Sequence, residues 1–113
     1  MTNLKFNCYL IGAESLLIQC AEILQQRGHQ IEGIVTTAVP LLQWAQVQNI
    51  PTFTLNKNLA AELQQRPPFD YLFSITNLAV LPADLLALPR LGSINFHDGP
   101  LPKYAGLYAT SWA

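Results

Sequence analysis

The chain has 113 residues and a formal net charge of −1, and half of its residues are hydrophobic while 12% are charged. This length suits one domain at most, and the composition can supply a sizeable core. Because Lys and Arg do not cluster, no direct contact of this segment with nucleic acid is expected.

Apolar runs, the first residues and the cysteines together indicate a cellular compartment. No apolar run approaches the roughly 18 residues of a membrane span, and the first residues lack the pattern of a signal peptide. Cys8 and Cys20 fall in a predicted strand and a predicted helix, so we interpret them as free thiols and not as a disulfide framework. The sequence therefore predicts a cytoplasmic protein without a membrane partner.

Strand-like and helix-like patterns alternate along the chain and are separated by short loops. Strands are predicted over 5–11, 30–36, 50–55, 69–75 and 93–97, and helices over 14–27, 40–48, 58–65, 83–88 and from about residue 108. This alternation is typical of an α/β fold, a Rossmann-like, mostly parallel sheet with helices on both faces. The last residues, 110–113, read as an unfinished apolar helix, so we expect residues 1–113 to be a single, incomplete domain truncated at its C-terminal side.

The first strand runs into a loop, residues 12–15, that opens a helix, which is the context in which phosphate groups bind. It has one glycine, Gly12, where a dinucleotide fingerprint has three, and Glu14 adds a negative charge. The second strand ends in Thr36 and Thr37 and lacks an acidic residue for a ribose. We interpret the loop as an ordinary βα turn and keep a nucleotide-binding domain as an alternative.

The last predicted strand carries the candidate catalytic pair. Ser93, Asn95 and His97 alternate with Ile94 and Phe96, so the polar side chains share one face. A face with three polar side chains is unusual for a buried strand, so we expect this face to carry a functional site. The Asn amide can donate a hydrogen bond to a developing oxyanion, and an imidazole can move protons near neutral pH. Together they suit acyl transfer to an amine, whereas neither a nucleophile elbow nor a metal-ligand set is visible.

Residues 74–82, Ser-Ile-Thr-Asn-Leu-Ala-Val-Leu-Pro, offer two interpretations. They are core packing followed by a loop, or they form the wall of a site for a flat, partly apolar ligand, with backbone groups free to pair with ring heteroatoms.

The motif Asn95-x-His97, followed by Leu101-Pro102-Lys103-Tyr104-x-Gly106 and Trp112, resembles the signature of the 10-formyltetrahydrofolate-dependent formyltransferases. The resemblance implies a formyltransferase-type fold and transfer of a formyl group from 10-formyltetrahydrofolate to a primary amine. It implies that Asn95 holds the formyl oxygen and that His97 assists proton transfer. It also implies that the pterin of the folate is bordered by four consecutive residues, Leu78, Ala79, Val80 and Leu81.

Two departures from the family pattern concern activity and acceptor. The family commonly has Pro-Ser-Leu-Leu-Pro after the His, whereas this chain has Asp98-Gly99-Pro100-Leu101-Pro102, and it ends before the Asp that the family needs downstream. We therefore expect these 113 residues alone to be inactive. The variant most resembles formylation domains of nonribosomal peptide synthetases, which implies an aminoacyl group on a carrier protein as acceptor. The alternative is a catalytically incomplete folate-binding or interaction module, and self-association through an open sheet edge is also expected.

Overall fold

The computed structural model describes residues 4–77 and 79–96, and it confirms the predicted Rossmann-like parallel sheet. In chain order the elements are β1 (Asn7–Ile11), α1 (Ser15–Gln26), β2 (Gln30–Val35), α2 (Val39–Val47), β3 (Thr52–Phe53), α3 (Leu59–Gln64), β4 (Tyr71–Ile75), α4 (Ala83–Leu86) and β5 (Gly92–Phe96). No helix in this part of the chain is both long and apolar enough to cross a membrane.

The five strands lie in the order β3-β2-β1-β4-β5, and every pair of neighbours is parallel. The direction of winding reverses between β1 and β4, and in open parallel sheets ligands bind beyond the carboxyl ends of the strands at such a reversal. The third strand is shorter than predicted, since it pairs with β2 over Thr52 and Phe53 alone. Pro51, which precedes it, has no N–H to extend the ladder.

Two apolar clusters cover the two faces of the sheet. On one face α1 and α2 contribute Leu17, Ala21, Leu41 and Ala45 to a cluster with Leu10 and Ile34. On the other face α3 and α4 contribute Leu59, Leu63 and Leu85 to a cluster with Tyr9, Val35 and Leu72. Helices therefore lie on both faces, as the alternation of elements predicts.

The α1 face is less completely covered toward β5. A groove of about 200 Å³ there is lined almost entirely by apolar atoms of Leu10, Cys20, Ile23, Leu24, Phe73, Ile75 and Phe96. Ile23 and Phe96 keep 51% and 40% of their surface exposed. The predicted self-association stays a prediction, because an apolar groove alone does not identify what covers it.

A polar cluster joins the amino ends of β1, β4 and β5. The Asp70 carboxylate accepts hydrogen bonds from Arg90 Nε at 2.9 Å and from the Asn7 backbone N–H at 3.2 Å. In return, the Asn7 side-chain oxygen accepts from the Asp70 N–H at 3.1 Å. The Arg90 hydrogen bond holds the pKa of the largely buried Asp70 below its usual value. These bonds fix the register at which the three strands begin.

The remaining titratable groups in the core are structural. His29 stacks on Phe6 with ring centroids 3.7 Å apart, and its Nδ1 accepts a hydrogen bond from the Phe6 N–H. Cys8 and Cys20 are free thiols, as predicted. Burial raises the pKa of the Cys8 thiol to about 12, so this thiol is a packing group and not a nucleophile.

Candidate functional site

The register of the sheet places two polar side chains next to each other at the carboxyl ends of β4 and β5. Ser74 of β4 is the Cα partner of Asn95 in β5, and on its other side it is the partner of Ile11 in β1. Partner residues in neighbouring strands point their side chains to the same face. Asn95 and Ser74 therefore continue, as polar groups, a row that is apolar at Ile11 and Val35.

The alternation predicted along β5 is confirmed, but the expectation that its polar face is unlikely to be buried was wrong. Ser93 and Asn95 keep 0% and 4% of their surface exposed, whereas Ile94 is half-buried and Phe96 is exposed. The reason is that α4 covers the polar face, where the Ser93 hydroxyl donates to the Leu86 carbonyl at 2.8 Å. The apolar face instead borders the groove beside α1.

Ser74 opens the stretch predicted either as core packing or as the wall of a site, but no role was predicted for its side chain. Its side chain is 1% exposed, and its hydroxyl oxygen forms no hydrogen bond with any other residue that the structure describes. Buried polar groups without a partner are rare, because losing water without a replacement costs free energy. A Ser between Phe73 and Ile75 in a buried strand was the available signal.

The loop after β4 begins in an unusual backbone conformation. Thr76 has a φ of 49°, in the left-handed region that β-branched residues seldom adopt. Its N–H donates to the Phe96 carbonyl at 2.8 Å, and its hydroxyl donates to the Ile75 carbonyl at 2.7 Å. These bonds tie the ends of β4 and β5 together and set the direction in which the loop leaves the sheet.

The structure separates the four residues predicted to border a pterin. Val80 keeps 93% of its surface exposed and Ala79 is also exposed, whereas Leu81 is buried in the cluster with Tyr9 and Leu72. Leu78 lies outside the described residues. Leu81 thus anchors a loop whose preceding residues face solvent, and the Asn77 side chain bonds both the N–H and the carbonyl of Ala79 at 3.4 Å.

A cavity of about 220 Å³ opens beside this loop at the carboxyl ends of β1 and β2. It is lined by Ile11, Gly12, Ala13, Val35, Thr36, Thr37, Thr54, Leu55 and Asn77. The polar groups in this lining are hydroxyls, an amide and backbone groups, and no charged side chain takes part among the described residues. The Thr36 hydroxyl already accepts a hydrogen bond from the Ala38 N–H at 3.1 Å. The cavity suits a small polar group without a formal negative charge.

Gly12 is required where the first loop passes β4. A Cβ added to it would lie 2.7 Å from the Ile75 carbonyl oxygen and 3.0 Å from the side chain of Leu17. The close approach of backbone to backbone explains this glycine without a phosphate. At the start of α1, Glu14 makes no capping hydrogen bond with its side chain. These features favour the ordinary βα turn over the nucleotide-binding alternative.

The second member of the predicted catalytic pair, His97, lies outside the described residues, as does the rest of the signature after it. The pairing of Asn95 with His97 therefore stays a prediction. Within residues 4–77 and 79–96, no group of three His, Cys, Asp or Glu side chains could hold a metal ion.

Similarity to known proteins agrees with this fold. No family model matches the chain. It is 30% identical to the methionyl-tRNA formyltransferase of Alkaliphilus oremlandii over 90% of its length, and 28% identical to that of Pelotomaculum thermopropionicum over 91%. In each case it spans 38% of the relative. A shorter match is to the bifunctional polymyxin resistance protein ArnA of Wigglesworthia glossinidia brevipalpis, with 42% identity over 43 residues. This match covers 38% of the chain and 7% of the relative. Together, the Rossmann-like parallel sheet and these relatives support a formyltransferase-family N-terminal domain.

Proposed function

We propose that residues 1–113 are the N-terminal part of an N-formyltransferase catalytic domain that transfers a formyl group from 10-formyltetrahydrofolate to a primary amine. The observation that supports this most directly is the position of Asn95. Its amide sits at the carboxyl end of β5, in a water-poor row of the sheet, in a fold shared with the formyltransferases. Electrostatic stabilisation of a developing charge is most effective in such surroundings.

In the proposed mechanism the amine attacks the formyl carbon directly. A new C–N bond forms, and the formyl oxygen gains negative charge that the Asn95 amide stabilises by donating a hydrogen bond. The tetrahedral intermediate then collapses, and the bond between the formyl carbon and N10 of the folate breaks. His97 takes the proton that the attacking nitrogen loses and returns a proton to N10. No covalent intermediate on the enzyme is involved.

The donor site in this proposal is the loop after β4. Exposed Val80 offers its backbone groups to the ring heteroatoms of a pterin, Ala79 can do so by exchanging its long bonds to the Asn77 side chain, and buried Leu81 holds the loop on the sheet. Leu78 completes the predicted wall. The Thr76 N–H bonds to the Phe96 carbonyl, so the loop leaves the sheet beside the end of the strand that carries Asn95.

The cavity lined by Thr36, Thr37, Thr54 and Asn77 is the proposed entrance for the acceptor. Its uncharged polar lining suits an aminoacyl group, which carries a free α-amine on an ester or thioester. A carrier protein is the source that the motif after His97 favours, and a tRNA is the source named by the curated relatives. The low charge of the chain favours the carrier protein. We place this reaction in the cytoplasm, a reducing compartment that suits free thiols.

Formyl transfer by the complete protein tests the proposal. Turnover with 10-formyltetrahydrofolate would be measured on an aminoacyl carrier protein and on methionyl-tRNA in parallel. We expect Asn95→Ala and His97→Ala to lower turnover severely, by about 10²–10³-fold for the lost Asn donor, with binding of an inert donor analogue retained in calorimetry. Normal turnover in both variants would refute the site. Binding of the analogue without any transfer by the wild-type protein would instead support the folate-binding module.

A further inference from the structure

The Ser74 hydroxyl is a buried polar group that the fold does not explain. It is 1% exposed and has no hydrogen-bond partner among the described residues. The comparable hydroxyl of Ser93, two positions before Asn95 on the same face, is bonded to the Leu86 carbonyl. A buried hydroxyl without a partner lowers the stability of the protein, so the presence of Ser74 calls for an explanation in terms of function.

The surroundings of Ser74 restrict what that role can be. Of its two cross-strand partners, Ile11 is apolar and Asn95 carries a carboxamide. Thr76, which follows β4, already uses its hydroxyl on the Ile75 carbonyl. The Asn95 amide is therefore the polar group that the sheet places beside Ser74.

Formyl transfer needs the Asn95 carboxamide in one of its two orientations. The nitrogen must face the formyl oxygen, because the carbonyl end would present an oxygen to an oxygen and repel it. A hydrogen-bond donor directed at Oδ1 selects the productive orientation. A serine hydroxyl can supply such a donor, whereas the aliphatic side chain of Ile11 cannot.

We infer that Ser74 is a positioning residue of the formyl-transfer site, whose hydroxyl donates to Asn95 Oδ1 once the formyl donor is bound. The inference rests on the proposed function and adds to it a residue outside the family signature. Hydrogen bonds at catalytic sites often tighten only in the complex with substrate, which accounts for a hydroxyl that has no partner among the described residues.

Ser74→Ala in the complete protein separates this role from a structural one. We expect kcat to fall by about 10-fold, less than the roughly 10²–10³-fold that follows loss of an oxyanion donor, with KM for the formyl donor unchanged. The Tm should stay the same or rise, because the variant removes an unsatisfied buried hydroxyl. A substitution that only damaged packing would lower both kcat and Tm, so a lower kcat with an unchanged or higher Tm would indicate a positioning role. A kcat within twofold of wild type would overturn the inference.

Two further variants serve as controls. Ser93→Ala removes a hydroxyl that is already bonded, so it should lower Tm and leave kcat unchanged. Ser74→Thr keeps the hydroxyl and should restore most of the turnover lost in Ser74→Ala. Failure of this rescue, with the Thr variant folded and binding the donor analogue, would count against the hydroxyl as the active group.

A double-mutant cycle with Asn95 decides whether Ser74 acts through it. Adding Ser74→Ala to Asn95→Ala should leave the residual rate unchanged, since the group to be oriented is gone. A further 10-fold loss would show that Ser74 acts independently and would overturn the inference. If the wild-type protein formylates neither acceptor, the proposed function itself fails, a result distinct from normal turnover in Ser74→Ala.

Discussion

The amino and carboxyl ends of the sheet use buried polar side chains in different ways. At the amino end, buried Asp70 exchanges hydrogen bonds with Asn7 and accepts them from Arg90, whose side chain is largely exposed. At the carboxyl end, the Ser74 hydroxyl is buried without a described partner and Thr76 has a left-handed backbone. Unpaired groups and strained backbone gather where a protein binds or reacts, while paired groups hold its frame. The contrast supports our proposal that the carboxyl end carries the site, while the hydrogen-bonded cluster at the amino end fixes the strands.

The largest expected effect lies at the carboxyl end. Asn95→Asp keeps the shape of the side chain but replaces the amide donor by a carboxyl group, so turnover should fall by at least about 10²–10³-fold. Asp70→Asn, the matched change at the amino end, should leave kcat of the folded protein unchanged. Steady-state kinetics on both variants would check this, and equal losses of kcat would remove the distinction between the two ends.

The next effect is on stability and lies at the amino end. Asp70→Ala leaves the Asn7 N–H and the Arg90 guanidinium without their shared acceptor, and it should reduce the free energy of unfolding by about 1–3 kcal/mol. Urea unfolding followed by circular dichroism would measure it. Ser74→Ala is the control, and we expect no loss of stability there.

The same cluster gives stability a defined pH dependence. Because Arg90 lowers the pKa of folded Asp70 below the unfolded value of about 3.9, ionised Asp70 adds stability above that pH. This stabilisation is lost as the pH falls through the pKa that Asp70 has in the folded protein. The stability difference between wild type and Asp70→Asn should be constant from pH 7 to about 5 and shrink below about 4. A difference that stays constant down to pH 3 would contradict it.

The smallest expected effect concerns backbone strain at the carboxyl end. Asn tolerates the left-handed region better than a β-branched residue, so Thr76→Asn should raise the free energy of unfolding by about 0.5–1 kcal/mol. Thr37→Asn, an exposed neighbour of the cavity without positive φ, should change it little. Loss of stability in Thr76→Asn would mean that the Thr hydroxyl contributes more than the strain costs.

Much of the fold could be predicted from the sequence, because the spacing of apolar residues indicates which side of a helix or strand is buried. The alternation of strand-like and helix-like patterns predicted the parallel sheet. The short β3 was not predicted, although Pro51 inside the predicted strand 50–55 was a local signal that the ladder starts later.

The site was less predictable. Asn95 was singled out from its position on a strand. Its burial could not be predicted, because a separate element, α4, covers that face of β5. No role was predicted for the Ser74 side chain, because its place beside Asn95 comes from the register of β4 against β5, and one strand alone does not contain that register. The roles predicted for Asn95, His97, Leu78, Ala79, Val80 and Leu81 all stay predictions.

Under the proposed function, Gly12 limits how the acceptor site can change. Because even a methyl group there would collide with the Ile75 carbonyl, the floor of the cavity is tied to the strand that carries Ser74. New acceptors must be accommodated elsewhere, at the rim formed by Thr36, Thr37 and Thr54. Libraries confined to these three rim positions should therefore yield altered acceptor preference with the formyl-transfer chemistry intact, whereas diversity at Gly12 should yield mainly misfolded protein.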